Sequence, residues 1–265
     1  MVLFKRTGVN RRLFLILLIA AILANIAILP YALSLGLMKT EELPISLPIA
    51  ILAQIAQTTA FFSIAIFVGL FLGRKVGFGA PLLEGWLGSE SVKEQFGPIL
   101  KISVILGILI GVSLFFLDRV AFAFFIEPVT VFQSEPPLWQ RFLVSFYGGI
   151  NEEIGMRLFL LTVIVWISWK IRKTQAGLPT SLGVWIAIIL ISVVFGLGHL
   201  PMTAKFQQVT ALVIFRAILL NGIAGVAFGW LYWKKGLESA MIAHFSTDTV
   251  LHVILPTILI IPKML

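Results

Sequence analysis

The stretch LWQRFLVSFYGGINEEIGMRLFLLTVIVWISW, residues 138–169, is long and apolar enough to cross a bilayer, yet it carries Glu152, Glu153 and Arg157 near its middle. A hydrocarbon core of about 30 Å is crossed by roughly 20 residues, each rising about 1.5 Å. Ionised side chains at that depth are costly, so they pair with groups on other helices and mark function by default. Placing this segment in the membrane decides the fold. A backbone in lipid must satisfy its own polar groups, and a helix does so within one segment.

The rest of the chain agrees. Of 265 residues, 59% are hydrophobic and 12% charged, where a soluble domain carries about 25% charged residues. Mean hydropathy is +1.05. Apolar runs of spanning length lie near residues 13–36, 45–72, 99–117, 138–169, 181–200, 206–233 and 239–262, with room for an eighth; residues 118–126 could extend the third run, and the last could break at Pro256. The expected architecture is all-α, a polytopic membrane protein with seven to eight transmembrane helices. A single membrane domain is expected over residues 1–265, with the helices that carry the candidate site in 138–252.

The net charge of +8 is a topology signal and not a nucleic-acid footprint. Lys5, Arg6, Arg11, Arg12, Arg74, Lys75, Lys93, Lys101, Lys170, Arg172, Lys173, Lys234 and Lys235 flank alternate loops, against Lys39, Arg119, Arg141, Lys205 and Lys263 on the others. That bias predicts a cytoplasmic N-terminus in a multi-pass protein of the cell membrane. The partner expected from composition and charge is the bilayer, with no nucleic acid. The first apolar run exceeds a signal h-region of roughly 7 to 15 residues and lacks a clear cleavage site, so it reads as a retained helix.

Residues 1–137 read as scaffold, because Glu41, Glu42, Glu84, Glu90 and Glu94 fall in expected loops. Residues 77–97, with Trp86, predict an interfacial helix between two spans. Gly222, Gly225 and Gly229 share one face of the sixth run, where a neighbouring helix can come close. The absence of cysteine removes disulfides and thiolate chemistry.

Helical spacing sorts the polar residues. Glu153 and Arg157 are four apart, the favourable order for an ion pair. Glu152 is rotated about 100° away and is free to meet another helix. Gly148, Gly149 and Gly155 are small enough to leave a cavity around it. His199 ends the run Phe195-Gly196-Leu197-Gly198-His199, and His244 and Asp248 share a face of the last span. His252 continues that face as a structural partner of Asp248. Two readings stay open at this point: a hydrolytic site, or a structural ion pair with Glu152 lining an ion path.

These residues resemble the CPBP (Abi) family of intramembrane glutamic proteases, related to the type II CAAX prenyl endopeptidases. The shared pattern is Glu152-Glu153-x-x-x-Arg157, Phe195-x-x-x-His199 and His244-x-x-x-Asp248, in order, over residues 140–252. The resemblance implies an intramembrane endopeptidase acting on a hydrophobic peptide or protein substrate, free or lipid-attached, in which Glu152 and His199 activate a water, while His244 and Asp248 stabilise the oxyanion. Glu153 and Arg157 support the site, and neither cofactor nor metal is required. The CAAX enzymes have asparagine where this chain has Asp248, so a donor there requires a protonated acid.

Other chemistries find less support. There is no His-Glu-x-x-His motif, and Asp118 and Asp248 are the only aspartates. Neither a Gly-x-Ser-x-Gly turn nor a phosphate-binding loop occurs. A metal held by Glu152, His199 and His244 is the alternative mechanism at the same site. Rivals of other classes are an ion- or proton-coupled transporter and a non-catalytic immunity or partner protein. Convergence also sets a geometric demand. Glu152 and His199 lie about 27 Å from their cytoplasmic helix ends, but His244 only about 12 Å from Gly236. Either the turn at Gly236 sits inside the protein, or the last span is tilted or broken.

Overall fold

Local chemistry sets where each apolar run starts and stops. The computed structural model describes residues 9–37, 45–89, 91–126 and 136–260. Lys5, Arg6, Lys39, Glu41, Glu42, Glu90 and Lys263, named above, lie outside the described residues. Seven helices have spanning length: α1 Arg11–Ser34, α2 Leu47–Val76, α4 Lys93–Ala121, α5 Leu138–Ile171, α6 Ser181–Thr203, α7 Ala211–Lys235 and α8 Leu237–Ile258. A short helix, α3 Pro81–Leu87, lies between α2 and α4. Among the described residues there is no eighth span, and the one β-type pairing is the bridge between Lys173 and Pro179. This is a multi-pass membrane protein.

Side-chain caps explain the boundaries. Asn10 Oδ1 accepts from the Arg12 and Leu13 amides at the start of α1. Thr180 and Thr210 do the same for α6 and α7, and a polar oxygen there satisfies amides that have no partner within the helix. The Thr210 cap starts α7 at Ala211, so residues 206–210 fall outside it. Helix α4 begins at Lys93, which puts Glu94 in its first turn and not in a loop. A carboxylate in that position complements the helix dipole. Glu84 likewise lies in a helix, α3.

Two spans contain π-helical turns. Helix α5 passes through π-helical turns at Tyr147–Glu152 and Ile154–Leu161, and α8 through one at Val250–Ile254. In α8 the wider turn accommodates Pro256, whose ring displaces the carbonyl four residues back, that of His252.

Glycines bring the helices together. An added Cβ at Gly225 would stand 2.8 Å from Ser192 Oγ, and one at Gly229 3.1 Å from Ile188, so the glycine face of α7 seats α6 as expected. Gly196 of α6 answers with a close approach to Ile218. On α4, Gly107 and Gly111 meet the Ala243 carbonyl and Val250, and so let α8 in. Helix α8 therefore sits among α4, α5 and α7. Large apolar side chains such as Leu52, Ile64 and Leu182 are more than 60% exposed, an arrangement suited to lipid contact and not to water.

Where an interfacial helix was expected the chain forms the short helix α3, and its inner side has a structural task. Trp86 points outward and is 63% exposed, whereas Leu82 is buried. Only Gly236, at φ 101°, separates α7 from α8, and a side chain there would strike Pro81. The Leu237 amide donates to the Gly79 carbonyl at 2.9 Å, and the Leu83 amide to Glu238 Oε1 at 2.8 Å. Leu237, Ser239 and Ala240 are wholly buried. The turn at Gly236 therefore lies inside the protein beneath α3. Starting α8 from within removes the depth mismatch between His244 and Glu152.

Candidate active site

Glu153 is the hub of the polar cluster. Its Oε1 lies 2.9 Å from Arg157 Nη1 and accepts a hydrogen bond of 2.7 Å from His244 Nδ1. The sequence reading assigned Glu153 to Arg157 alone, and α8 adds the second partner. A π turn holds more residues than an α turn, so consecutive side chains diverge by less than 100°. Glu152 and Glu153 thus both face His244: Glu152 Oε2 lies 3.7 Å from Nε2, on the opposite edge of the ring from Glu153. Asp248 Oδ2 approaches the same Nε2 at 3.6 Å.

Burial grades across the cluster. Glu153 and Arg157 are 0% and 1% exposed, His244 is 6%, Asp248 13% and Glu152 25%. The innermost pair is buried, and the carboxylates beyond Nε2 are partly exposed. Because a carboxylate can only accept, His244 donates Nδ1–H to Glu153, which fixes the ring and leaves Nε2 directed between Glu152 and Asp248.

Aromatic rings hold Arg157 and His244 in place. The Arg157 guanidinium lies 4.8 Å from the Phe195 centroid and 5.4 Å from that of Phe228, and Nη2 donates to the Gly225 carbonyl at 3.3 Å. His244 stacks on Phe228 at 4.6 Å and meets Phe195 edge-on at 5.8 Å. Sequence reasoning missed Phe228 and the Gly225 carbonyl. The available signal was an aromatic between Gly225 and Gly229 on the close-packed face of α7.

The glycines expected to open a cavity divide into two kinds. A side chain at Gly148 would strike Asp248 and stand 3.0 Å from His244 Nε2, and one at Gly149 would stand 2.9 Å from Phe245 Cβ. Both seat α8 rather than leaving room. Gly155 alone fits the expectation, since an added Cβ there meets nothing within 4 Å.

His199 is a neighbour of the cluster, not a member. It lies where α6 breaks before Pro201, and its Nδ1 pairs with the Phe195 carbonyl at 2.8 Å. A carbonyl only accepts, so Nδ1 carries the proton, and in the neutral ring Nε2 is left with a free lone pair. Phe195 meets the His199 ring edge-on at 4.8 Å and so stands between the two histidines. No hydrogen bond or ion pair joins His199 to Glu152 among the described contacts. The expected bond between His252 and Asp248 is also absent from them, because the π turn at Val250–Ile254 shifts the register between the two residues. Among the described residues no group of three His, Asp or Glu side chains is arranged to hold a metal ion.

Residues 134–250 match the family model described as Type II CAAX prenyl endopeptidase Rce1-like. The chain carries an Rce1-like domain. The matched residues contain all three motifs and every side chain of the cluster, and the match supports a membrane-embedded protease. No curated protein and no solved structure matches the chain. In the Rce1-like domain α5 supplies the two glutamates and the arginine, α6 His199, α7 the carbonyl that holds Arg157, and α8 His244 and Asp248.

Proposed function

We propose that this chain is an intramembrane peptidase that hydrolyses a peptide bond in a membrane-associated or hydrophobic substrate, lipid-attached or not. The observation that carries this reading is the meeting of Glu152, His244 and Asp248 around one imidazole nitrogen, at 3.6 to 3.7 Å, with Glu153 and Arg157 behind it. Glu152 is the most exposed acid of the group and serves as general base, taking a proton from the attacking water. His199 orients that water through its free Nε2. His244 donates from Nε2 to the oxyanion once it is doubly protonated, and the surrounding carboxylates balance that charge. Asp248, standing where the CAAX enzymes have asparagine, contributes a donor in its protonated form. The bias of basic residues favours an N-terminus in the cytoplasm and a location in the cell membrane.

The test is turnover of hydrophobic and prenylated peptides by the reconstituted protein, compared with Glu152→Gln and His199→Ala. General-base catalysis is worth roughly 10²–10⁴-fold, so Glu152→Gln should lose at least about 10²-fold in kcat while its thermal midpoint stays near the parent's. Equal turnover by all three proteins would remove the assigned roles. Substrate-independent ion flux, abolished by Glu152→Gln, would favour the transporter instead.

A further inference from the structure

The end of the bundle where α5 and α7 stop and α6 begins carries a basic and aromatic patch that the proposed chemistry does not use. Five of the seven tryptophans lie there: Trp166, Trp169, Trp185, Trp230 and Trp233. Around them Lys170, Arg172, Lys173, Lys234 and Lys235 are exposed. Lys173 Nζ lies 4.2 Å and Lys170 Nζ 5.5 Å from the Trp169 ring, and Lys234 Nζ lies 3.4 Å from that of Trp233. Trp185 meets Trp233 edge to face at 5.9 Å, which ties the start of α6 to the end of α7.

The patch is preorganised. Trp169 Nε1 donates to the Gly177 carbonyl at 2.8 Å, the Thr174 amide donates to the Leu178 carbonyl at 2.9 Å, and Lys173 bridges to Pro179. The cations of the α5–α6 connection are thus carried on a closed hairpin. Among the described residues none of these cations forms an ion pair. No acidic residue occurs between Glu153 and Glu238, and Glu238 is buried with its Oε1 accepting from Leu83. Elsewhere at the same end acids accompany the bases, as Glu84 lies within electrostatic reach of Arg74 and Glu94 follows Lys93.

We propose that this patch binds the headgroup of an anionic phospholipid. Tryptophan places its ring at the headgroup level, and basic clusters beside transmembrane helices attract anionic lipid. Continuity with hydrocarbon-facing surface argues for a lipid over a soluble anion. From the patch, Leu182, Ile186 and Ile189 run along α6 at 68%, 56% and 55% exposure, a track for acyl chains. A lipid seated there bridges the ends of the three helices that carry Glu152, His199 and the carbonyl partner of Arg157. This inference stands independently of the proposed chemistry.

The experiment uses the full chain in nanodiscs of phosphatidylcholine with or without phosphatidylglycerol. It compares the parent, K170Q/K173Q/K234Q, and K93Q/K101Q as a control at the same end but in another sector. Brominated phosphatidylglycerol should quench tryptophan fluorescence more than brominated phosphatidylcholine does. Phosphatidylglycerol retained after extraction, read by native mass spectrometry, should fall by roughly fivefold for each cation removed in the triple variant and stay at the parent's level in the control. Equal thermal midpoints in pure phosphatidylcholine would show that the substitutions leave the fold intact. The proposal is overturned if the parent shows no preference between the two lipids. Equal loss in the triple variant and the control, or displacement of the lipid by millimolar inorganic phosphate, would overturn it as well.

Discussion

Asp118 and Arg216 form a balanced pair: one carboxylate meets one guanidinium through two hydrogen bonds of 2.6 and 2.8 Å, with both side chains 32% exposed. The cluster at Glu153 follows the opposite plan. Three carboxylates surround one guanidinium and one imidazole, and the innermost groups are buried. Glu153 Oε2 is buried with no partner, as are both polar atoms of Asn151 beside it. The first pair fastens α4 to α7 with every charge matched. The second keeps more acid than base around a fixed histidine, and the proposed chemistry draws on that excess.

Removing one charge from each plan gives the largest contrast. Breaking a buried pair leaves an uncompensated ion and costs about 3–5 kcal/mol, whereas an exposed pair contributes about 1 kcal/mol or less. At roughly 2–4 °C per kcal/mol for a chain of this size class, Arg157→Ala should lower the thermal midpoint by about 10 °C. Asp118→Asn should lower it by only a few degrees and leave turnover intact. Differential scanning of the reconstituted proteins checks both. Equal shifts in the two variants would end the distinction between the sites.

The glycines of α5 sharpen the same comparison at smaller scale. A methyl at Gly148 runs into Asp248 and crowds His244 Nε2, while one at Gly155 meets open space. Overpacking costs about 1–3 kcal/mol. Gly148→Ala should therefore lose both stability and turnover, and Gly155→Ala should change the midpoint by less than about 0.5 kcal/mol equivalent. If Gly155→Ala instead loses turnover while its midpoint holds, the open space beside Gly155 is occupied during turnover.

Much of this contrast was legible before any coordinates. Spans follow from apolar runs of about 20 residues. Three motifs in order led to the expectation that Glu152, His199, His244 and Asp248 converge, of which His199 stands apart from the other three. What escaped were facts of register and of long-range contact. Glu153 gained His244 because π turns narrowed the angle between neighbouring side chains, and α-helical spacing cannot express that. Phe228 looked like any membrane phenylalanine until α6 and α8 were seated against it. Arg216 is a lone cation in an apolar run, and Asp118 read as the end of a span, so nothing local joined residues 98 apart. The burial of Gly236 beneath α3 depended on a segment 155 residues earlier, through the bond from Leu83 to Glu238.

Glu84 offers the mildest test, because it combines features of both plans. Like Asp118 it lies within electrostatic reach of one guanidinium, that of Arg74, and its Oε1 accepts from the Ala80 amide at 3.1 Å. Like Glu153 it is drawn inward, and burial raises its carboxyl above the ordinary range, outweighing the lowering by the Ala80 amide and by Arg74. The proton is therefore held more tightly in the folded chain than in the unfolded one. The corresponding stability is complete below the unfolded value of about 4.3 and is lost as pH rises through the higher folded value. Glu84→Gln keeps an oxygen for Ala80 and stays neutral, so its thermal midpoint should remain flatter across that window and should match or exceed the parent's above it. Midpoints measured from pH 4 upward decide the matter. Parallel curves would mean that Arg74 offsets burial completely and that Glu84 belongs with the balanced pair.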